Sequence, residues 1–130
     1  MCGGSLVVAR AASGAEKIEM DEHISLWKAP TSAFAQEFML YGFAEKYFRI
    51  EPGIYDGKAY FAKTKTLARD YSWCYGAGII EVRMKLDDYA SHFIDFEQLC
   101  PGTVEIEIAI PRERLNLLNR LTLERILHHD

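Results

Sequence analysis

Apolar residues return along this chain in two rhythms, and the change from one to the other marks most of its elements. Alternation is clearest in Gly76 to Leu86. Ile80, Val82, Met84 and Leu86 fall on one side and Glu81, Arg83 and Lys85 on the other, which predicts a strand with one buried and one wet face. Thr103 to Ile110 alternates in the same way, with Val104, Ile106, Ile108 and Ile110 sharing a face. Shorter strands are expected at Ser5 to Ala9, at Ile24 to Lys28 before Pro30, and at Lys58 to Ala62 after the Asp56-Gly57 turn. Helical spacing takes over after Pro30. Thr31 or Ser32 supplies a side-chain cap, Phe34, Phe38 and Tyr41 form a buried stripe, and Gly42 ends the helix because it takes positive φ without steric cost. Phe43 to Ile50 is a further turn or a strand, broken by Glu51-Pro52-Gly53. Thr64 to Trp73 reads as a short helix with Leu67 and Tyr71 on one face. Asp87 to Cys100 is mixed, anchored by Tyr89, Phe93 and Phe96, and Pro101-Gly102 turns the chain. Pro111 suits the first turn of a final helix whose apolar side is Leu115, Leu118, Leu121 and Ile126, fraying at His128-His129.

Strands and helices thus interleave, and the fold class expected is α+β, a compact mixed domain. At 130 residues the chain fits one domain over 1–130, with 1–22, of which Ala11 to Glu22 is small and polar, expected as a mobile N-terminal segment. A hydrophobic fraction of 49% with seven Tyr, seven Phe and two Trp supplies a core and argues against disorder. The net charge of −4 and the lack of any Lys/Arg run give little support to a nucleic-acid partner held by phosphate contacts, although folding can gather a local basic patch. Cys2, Cys74 and Cys100 are widely spaced, form no CxxC pair and read as reduced cytosolic thiols; a thiolate zinc site is not expected. Met1 to Ala12 does not read as a secretory leader, and no stretch approaches the ~18 apolar residues of a membrane span.

Three groups of residues carry possible chemistry. Period two puts Glu105 and Glu107 on one face of the late strand, opposite its aliphatics; that face either works on a ligand or is simply solvated. Tyr60 in Tyr60-Phe61-Ala62 and Tyr71 on the helix that follows supply two rings able to sandwich a flat heterocycle, each contact worth about 0.5–1.5 kcal/mol, or else they are core residues with hydroxyls at the surface. Lys28, in Leu26-Trp27-Lys28-Ala29-Pro30, offers a point charge to an anion such as a pyrophosphate, or to water. The four histidines make no metal-ligand pattern, and Gly-rich phosphate loops and a Gly-x-Ser-x-Gly elbow are missing.

Taken in order, these groups resemble the ADP-ribosyltransferase superfamily, over roughly residues 24 to 118. In that family a strand with a pattern like Leu-Tyr-His-Gly-Thr precedes a helix ending in Gly-Phe. A Tyr-Phe-Ala strand, a helix with a second Tyr and a Glu-x-Glu strand often closed by Pro then follow. Here the matching segments are Leu26 to Pro30, Gly42-Phe43, Tyr60-Phe61-Ala62, Tyr71 and Glu105-Ile106-Glu107-Ile108-Ala109-Ile110-Pro111. The tyrosines look like the nicotinamide-stacking pair of the diphtheria-toxin-like branch. One departure stands out: Lys28 occupies the place of the family's His or Arg, and an ammonium is neither an imidazole nor a flat fork. That departure bears on turnover and not on the fold; Arg10 or His23 is the alternative for the role.

The resemblance implies two small antiparallel sheets packed around an NAD cleft, and mono-ADP-ribosyl transfer from NAD, needing no metal. Glu107 would stabilise the oxocarbenium-like ribose and bond its hydroxyl, and Glu105 would activate the acceptor. Tyr60, Tyr71, Ala62, Trp27 and Lys28 would hold NAD. It further implies a small toxin or effector, often the C-terminal part of a longer polypeptide. Such a protein would act in the cytoplasm of a target cell on a protein or nucleic-acid acceptor, with an immunity protein as a further partner and no membrane. Alternatives on the same scaffold are NAD glycohydrolysis, with water as acceptor, an RNA 2′-phosphotransferase, disfavoured by the weak basic character, and a non-catalytic protein-binding module.

Overall fold

In the computed structural model, which describes residues 22–129, the elements follow as β1 (His23–Lys28), α1 (Ser32–Tyr41), β2 (Ile50–Glu51), β3 (Tyr55–Asp56), β4 (Lys58–Ala62), α2 (Lys65–Tyr75), β5 (Ile79–Lys85), α3 (Leu86–His92), β6 (Glu97–Leu99), β7 (Ile106–Pro111), α4 (Leu115–Leu121) and β8 (Glu124–His128). Six strands form one antiparallel sheet in the order β6-β7-β4-β1-β5-β8. β2 and β3 pair separately as a short ribbon. The mixed α/β character agrees with the interleaved pattern. The pair of small packed sheets is corrected to one wide sheet with a ribbon at its side. The expected strand at Ser5 to Ala9 and nearly all of the segment 1–22 lie outside the described residues.

Alternation sorts the strands onto two faces. Ile24 and Leu26, Ala59 and Phe61, Ile80, Val82 and Met84, and Ile108 and Ile110 point to one side. There they pack with Phe38 of α1, Phe43, Tyr89 of α3, Phe93, and Leu115 and Leu118 of α4 in the main core. The other face carries a second, smaller cluster. Leu67 and Ala68 of α2 lie on Ala62, Ile79 and Cys100, with Trp27 against them. Helices therefore cover both faces of the sheet centre, and central strands covered on both sides lose their wet face. This corrects the reading of β5: Glu81, expected in water, is 7% exposed.

Several boundaries move for local reasons. The late strand begins at Ile106, not at Thr103, and Val104 is 89% exposed. Thr103 closes a turn there: its hydroxyl donates to the Cys100 carbonyl and accepts from the Glu105 N–H, while Cys100 N–H donates to the Glu105 carbonyl. Side-chain bonds of this kind compete with a ladder. Thr31 stands at the N-cap of α1, but its side chain makes no capping bond; its carbonyl accepts the first N–H groups of the helix. The stripe on α1 is narrower than expected, since Tyr41 is 71% exposed. The rings that receive α1 (Phe43, Tyr47 and Phe48) all gather around Phe38. Pro111 ends β7 instead of starting a helix, and a 3₁₀ turn at Arg112–Arg114 leads into α4. Ile126 and His128 belong to β8, not to a frayed helix, because Ile79 to Arg83 of β5 offer a free edge that the last segment completes.

Gly57 sets the ribbon against β4. Its φ is +76°, and a Cβ there would come within 2.5 Å of Ile50 Cγ1. Gly57→Ala is expected to cost about 1–2 kcal/mol from the left-handed backbone alone. A thermal or urea unfolding midpoint checks this; an unchanged midpoint would mean the turn relaxes freely.

Candidate functional site

The sheet forks beside Lys28. β1 holds all six of its residues in register with β5, but meets β4 at the single pair Trp27–Ala62. Past that pair the two strands part, and Lys28 Nζ fills the gap by donating to the Tyr60 carbonyl at 2.9 Å. The ammonium also lies 5.3 Å from the Phe61 ring centroid and 5.5 Å from that of Phe48. A lysine set among rings with one carbonyl partner loses much of its hydration. Burial accordingly lowers its pKa to about 8, so at neutral pH it still carries its proton.

A cleft of about 1030 Å³ opens at this fork. Lys28 to Thr31 form one wall, Phe34, Phe38 and Phe48 the apolar floor, and Tyr55 to Lys58 with Tyr60 the opposite wall. Charged and phenolic groups ring an apolar base, and the volume stands at the upper end of the range for small-molecule sites. Tyr60 donates its hydroxyl to Asp56 Oδ2. Burial, that bond and the charges of Asp56 and Glu107 raise the Tyr60 phenol to about 12, so it remains a neutral hydroxyl. The same bond, with the Lys58 N–H and charge, holds Asp56 below its ordinary value against the opposing effect of burial.

Glu107 lies on the other face of the sheet. Directly opposite residues share a face, so Gln98, Glu107, Ala62, Trp27, Glu81 and Ile126 form one row across six strands. Glu107 is 6% exposed, and its Oε2 accepts from Gln98 Nε2 at 2.6 Å. Among the described residues its Oε1 has no hydrogen-bond partner. Tyr60, opposite Ala109, is a diagonal neighbour of Glu107 on that face, close enough for the charge of Glu107 to act on its phenol.

The expected site residues therefore divide. Lys28 and Tyr60 line the cleft. Tyr60, Ala62, Trp27 and Glu107 share the opposite sheet face, so Tyr60 belongs to both. Trp27 and Ala62 lie under α2 in the second core cluster, with the Trp27 ring 5.6 Å from His128. Tyr71, 38% exposed like Tyr60, places its hydroxyl 2.8 Å from Cys100 Sγ. Glu105 precedes β7 in the turn, half-buried, and accepts from Thr64 Oγ1 at 3.2 Å. Glu105 and Glu107 thus sit in different settings, one beside a loop threonine and one buried in the sheet.

Residues not singled out from the sequence also shape the region. Gln98 holds Glu107, and nothing in the irregular stretch before Pro101 marks it. Glu81 joins Ser25 Oγ (2.5 Å), His128 Nε2 (2.9 Å) and Arg83 Nη2 (3.5 Å) into one polar cluster further along the row. Glu97 accepts from Lys63 and from Tyr89, whose phenol is raised by burial and by that carboxylate. Cys100 is a buried free thiol among the described residues. Among those residues no group of three or more His, Cys, Asp or Glu could hold a metal ion, and no helix is long and apolar enough to cross a membrane. Comparison with protein-family models, with curated proteins and with solved structures gave no match.

Proposed function

We propose that this chain is a mono-ADP-ribosyltransferase that uses NAD, with Glu107 as its catalytic carboxylate. The observation that carries the reading is the setting of Glu107: a buried carboxylate with one oxygen fixed by Gln98 and the other without a hydrogen-bond partner among the described residues. A carboxylate in such a low-dielectric seat stabilises the positive charge that develops on a ribose as its bond to nicotinamide breaks. Its orientation is set beforehand, so no reorganisation is needed at that moment. Tyr60 offers a neutral ring beside it, and Lys28, at the fork, is the cation assigned to the diphosphate. Tyr71 on α2 and Glu105 in the turn before β7 are the residues assigned to the second ring and to the acceptor.

NAD binding and cleavage test this directly. At 100 times its dissociation constant NAD adds about 2.7 kcal/mol, which for a chain of this length raises the melting temperature on the order of 10 °C. Released nicotinamide, followed by chromatography, is expected to accompany labelling of an acceptor; free ADP-ribose without labelling marks the hydrolase instead. A chain that shows neither a shift nor nicotinamide release at millimolar NAD is not an enzyme of this class.

A further inference from the structure

The chain is acidic as a whole, yet the cleft gathers the cations Lys28, Lys46, Arg49 and Lys58 against the single carboxylate Asp56, which is engaged by Tyr60. Three of the four also sit over aromatic rings. Lys46 Nζ is 5.2 Å from the Tyr47 centroid, the Arg49 guanidinium 4.7 Å from that of Tyr55, and Lys28 lies by Phe48. At the outer lip the ribbon of β2 and β3 exposes apolar surface where a soluble protein would place polar residues: Ile50 and Ile54 at 64% and Tyr55 at 50%. Glu51 reaches Arg49 at 3.5 Å, and that pair is open to water, where such contacts are weak.

We propose that this lip, formed by the ribbon with Lys46 and Lys58 at its base, binds a single strand of nucleic acid. Cations that follow a backbone, alternating with exposed rings on which unpaired bases stack, are the two components of such recognition. The Arg49–Tyr55 couple provides both, with the guanidinium 4.7 Å from the ring centroid. A duplex hides its base faces and would leave Tyr55 and the isoleucines unused, and an acidic peptide would use the charges alone. In a chain of net charge −4, a positive lip also concentrates polyanions locally at the mouth of the cleft.

The inference deepens the transferase reading by naming the acceptor, and rests on it only for the strand's fate. In that step a ring nitrogen or hydroxyl oxygen of the strand bonds to C1′ of the nicotinamide ribose. Neutral nicotinamide leaves with the electron pair of the broken C–N bond, and the acceptor's proton passes to Glu105 or to water.

Fluorescence anisotropy with labelled oligonucleotides of about ten nucleotides, one deoxyribo and one ribo, tests the binding without NAD. Either is expected to bind, and to weaken about twentyfold between about 50 and 200 mM salt if three phosphates are neutralised. Lys46, Arg49, Tyr55 and Lys58 are exposed, so their replacement leaves the core intact. The triple variant K46Q/R49Q/K58Q is expected to bind at least tenfold more weakly and with a flatter salt dependence, and Tyr55→Ala alone about tenfold more weakly. Unlabelled polyglutamate of equal charge should fail to displace the strand. No binding of either oligonucleotide, wild-type affinity in both variants, or displacement by polyglutamate overturns the proposal. Nicotinamide release without any oligonucleotide binding would overturn the lip and keep the NAD reading; strand binding with no reaction toward NAD would do the reverse.

Discussion

Glu107→Gln is expected to lower nicotinamide release from NAD about 100- to 1000-fold, with a melting temperature close to that of the unsubstituted chain. The exchange removes one charge and almost no volume. Gln98 donates to Oε2 of Glu107, and a glutamine side chain can offer its own carbonyl oxygen to the same donor, so the seat survives. What disappears is the negative charge opposite a ribose that turns cationic as its glycosidic bond opens. Glu107 is 6% exposed, and in that surrounding the charge is screened far less than it would be in water. Glu105→Gln provides the contrast. Glu105 is half-buried in a turn with a threonine for partner, and its replacement should leave nicotinamide release within about tenfold while reducing transfer to an acceptor. Wild-type release by the Glu107 variant would remove this carboxylate from the chemistry. Equal loss in both variants would mean that the two acids act as a unit despite their different settings.

How far the chain announces these features depends on whether a feature is local. Lys58 to Ala62 matches β4 residue for residue, because the Asp56-Gly57 turn fixes where the strand starts and the pattern shows where it ends. Alternation also puts Glu107 on the face away from Ile108 and Ile110. The same alternation misleads at Val104, where a threonine turn overrides it, and at Glu81, which would be wet on a strand covered on one side only. β8 is illegible for a related reason. Leu115, Leu118, Leu121 and Ile126 fit a helical spacing, and only the vacant edge of β5 makes the last residues a strand. The site divides along the same line. Tyr60, Lys28 and Glu107 stand out by type and position. The parting of β1 from β4, Gln98's hold on Glu107 and the gathering of Lys46, Arg49 and Lys58 at one lip arise from contacts between segments distant in the chain, which no local pattern records.

The cluster around Glu81 gives the largest expected effect on stability. Burial pushes this carboxyl up, but hydrogen bonds from Ser25 and His128 and the charges of Arg83 and His128 outweigh it, and the group titrates below its ordinary value of 4.5. Its partners tie β1, β5 and β8 together on the sheet face that carries α2. Glu81→Ala strands Ser25 and His128, while Arg83 keeps Glu124 at 3.1 Å, and removing one member of a buried polar network is expected to cost about 3 kcal/mol. The urea midpoint should fall by roughly 2 M with an unchanged slope. The pH dependence fixes the cause. A carboxyl whose folded pKa is depressed contributes stability that is present above its unfolded value near 4.5 and lost as pH falls through its lower folded value. The gap between the native chain and the Glu81→Ala variant should therefore be full at pH 7 and shrink as pH drops below about 4.5. The variant also leaves a cavity and a loosened β8, and those losses persist at low pH, so the gap narrows without closing. A gap that stays constant from pH 7 to pH 3 would show that Glu81 acts by packing alone and that its charge holds nothing in place.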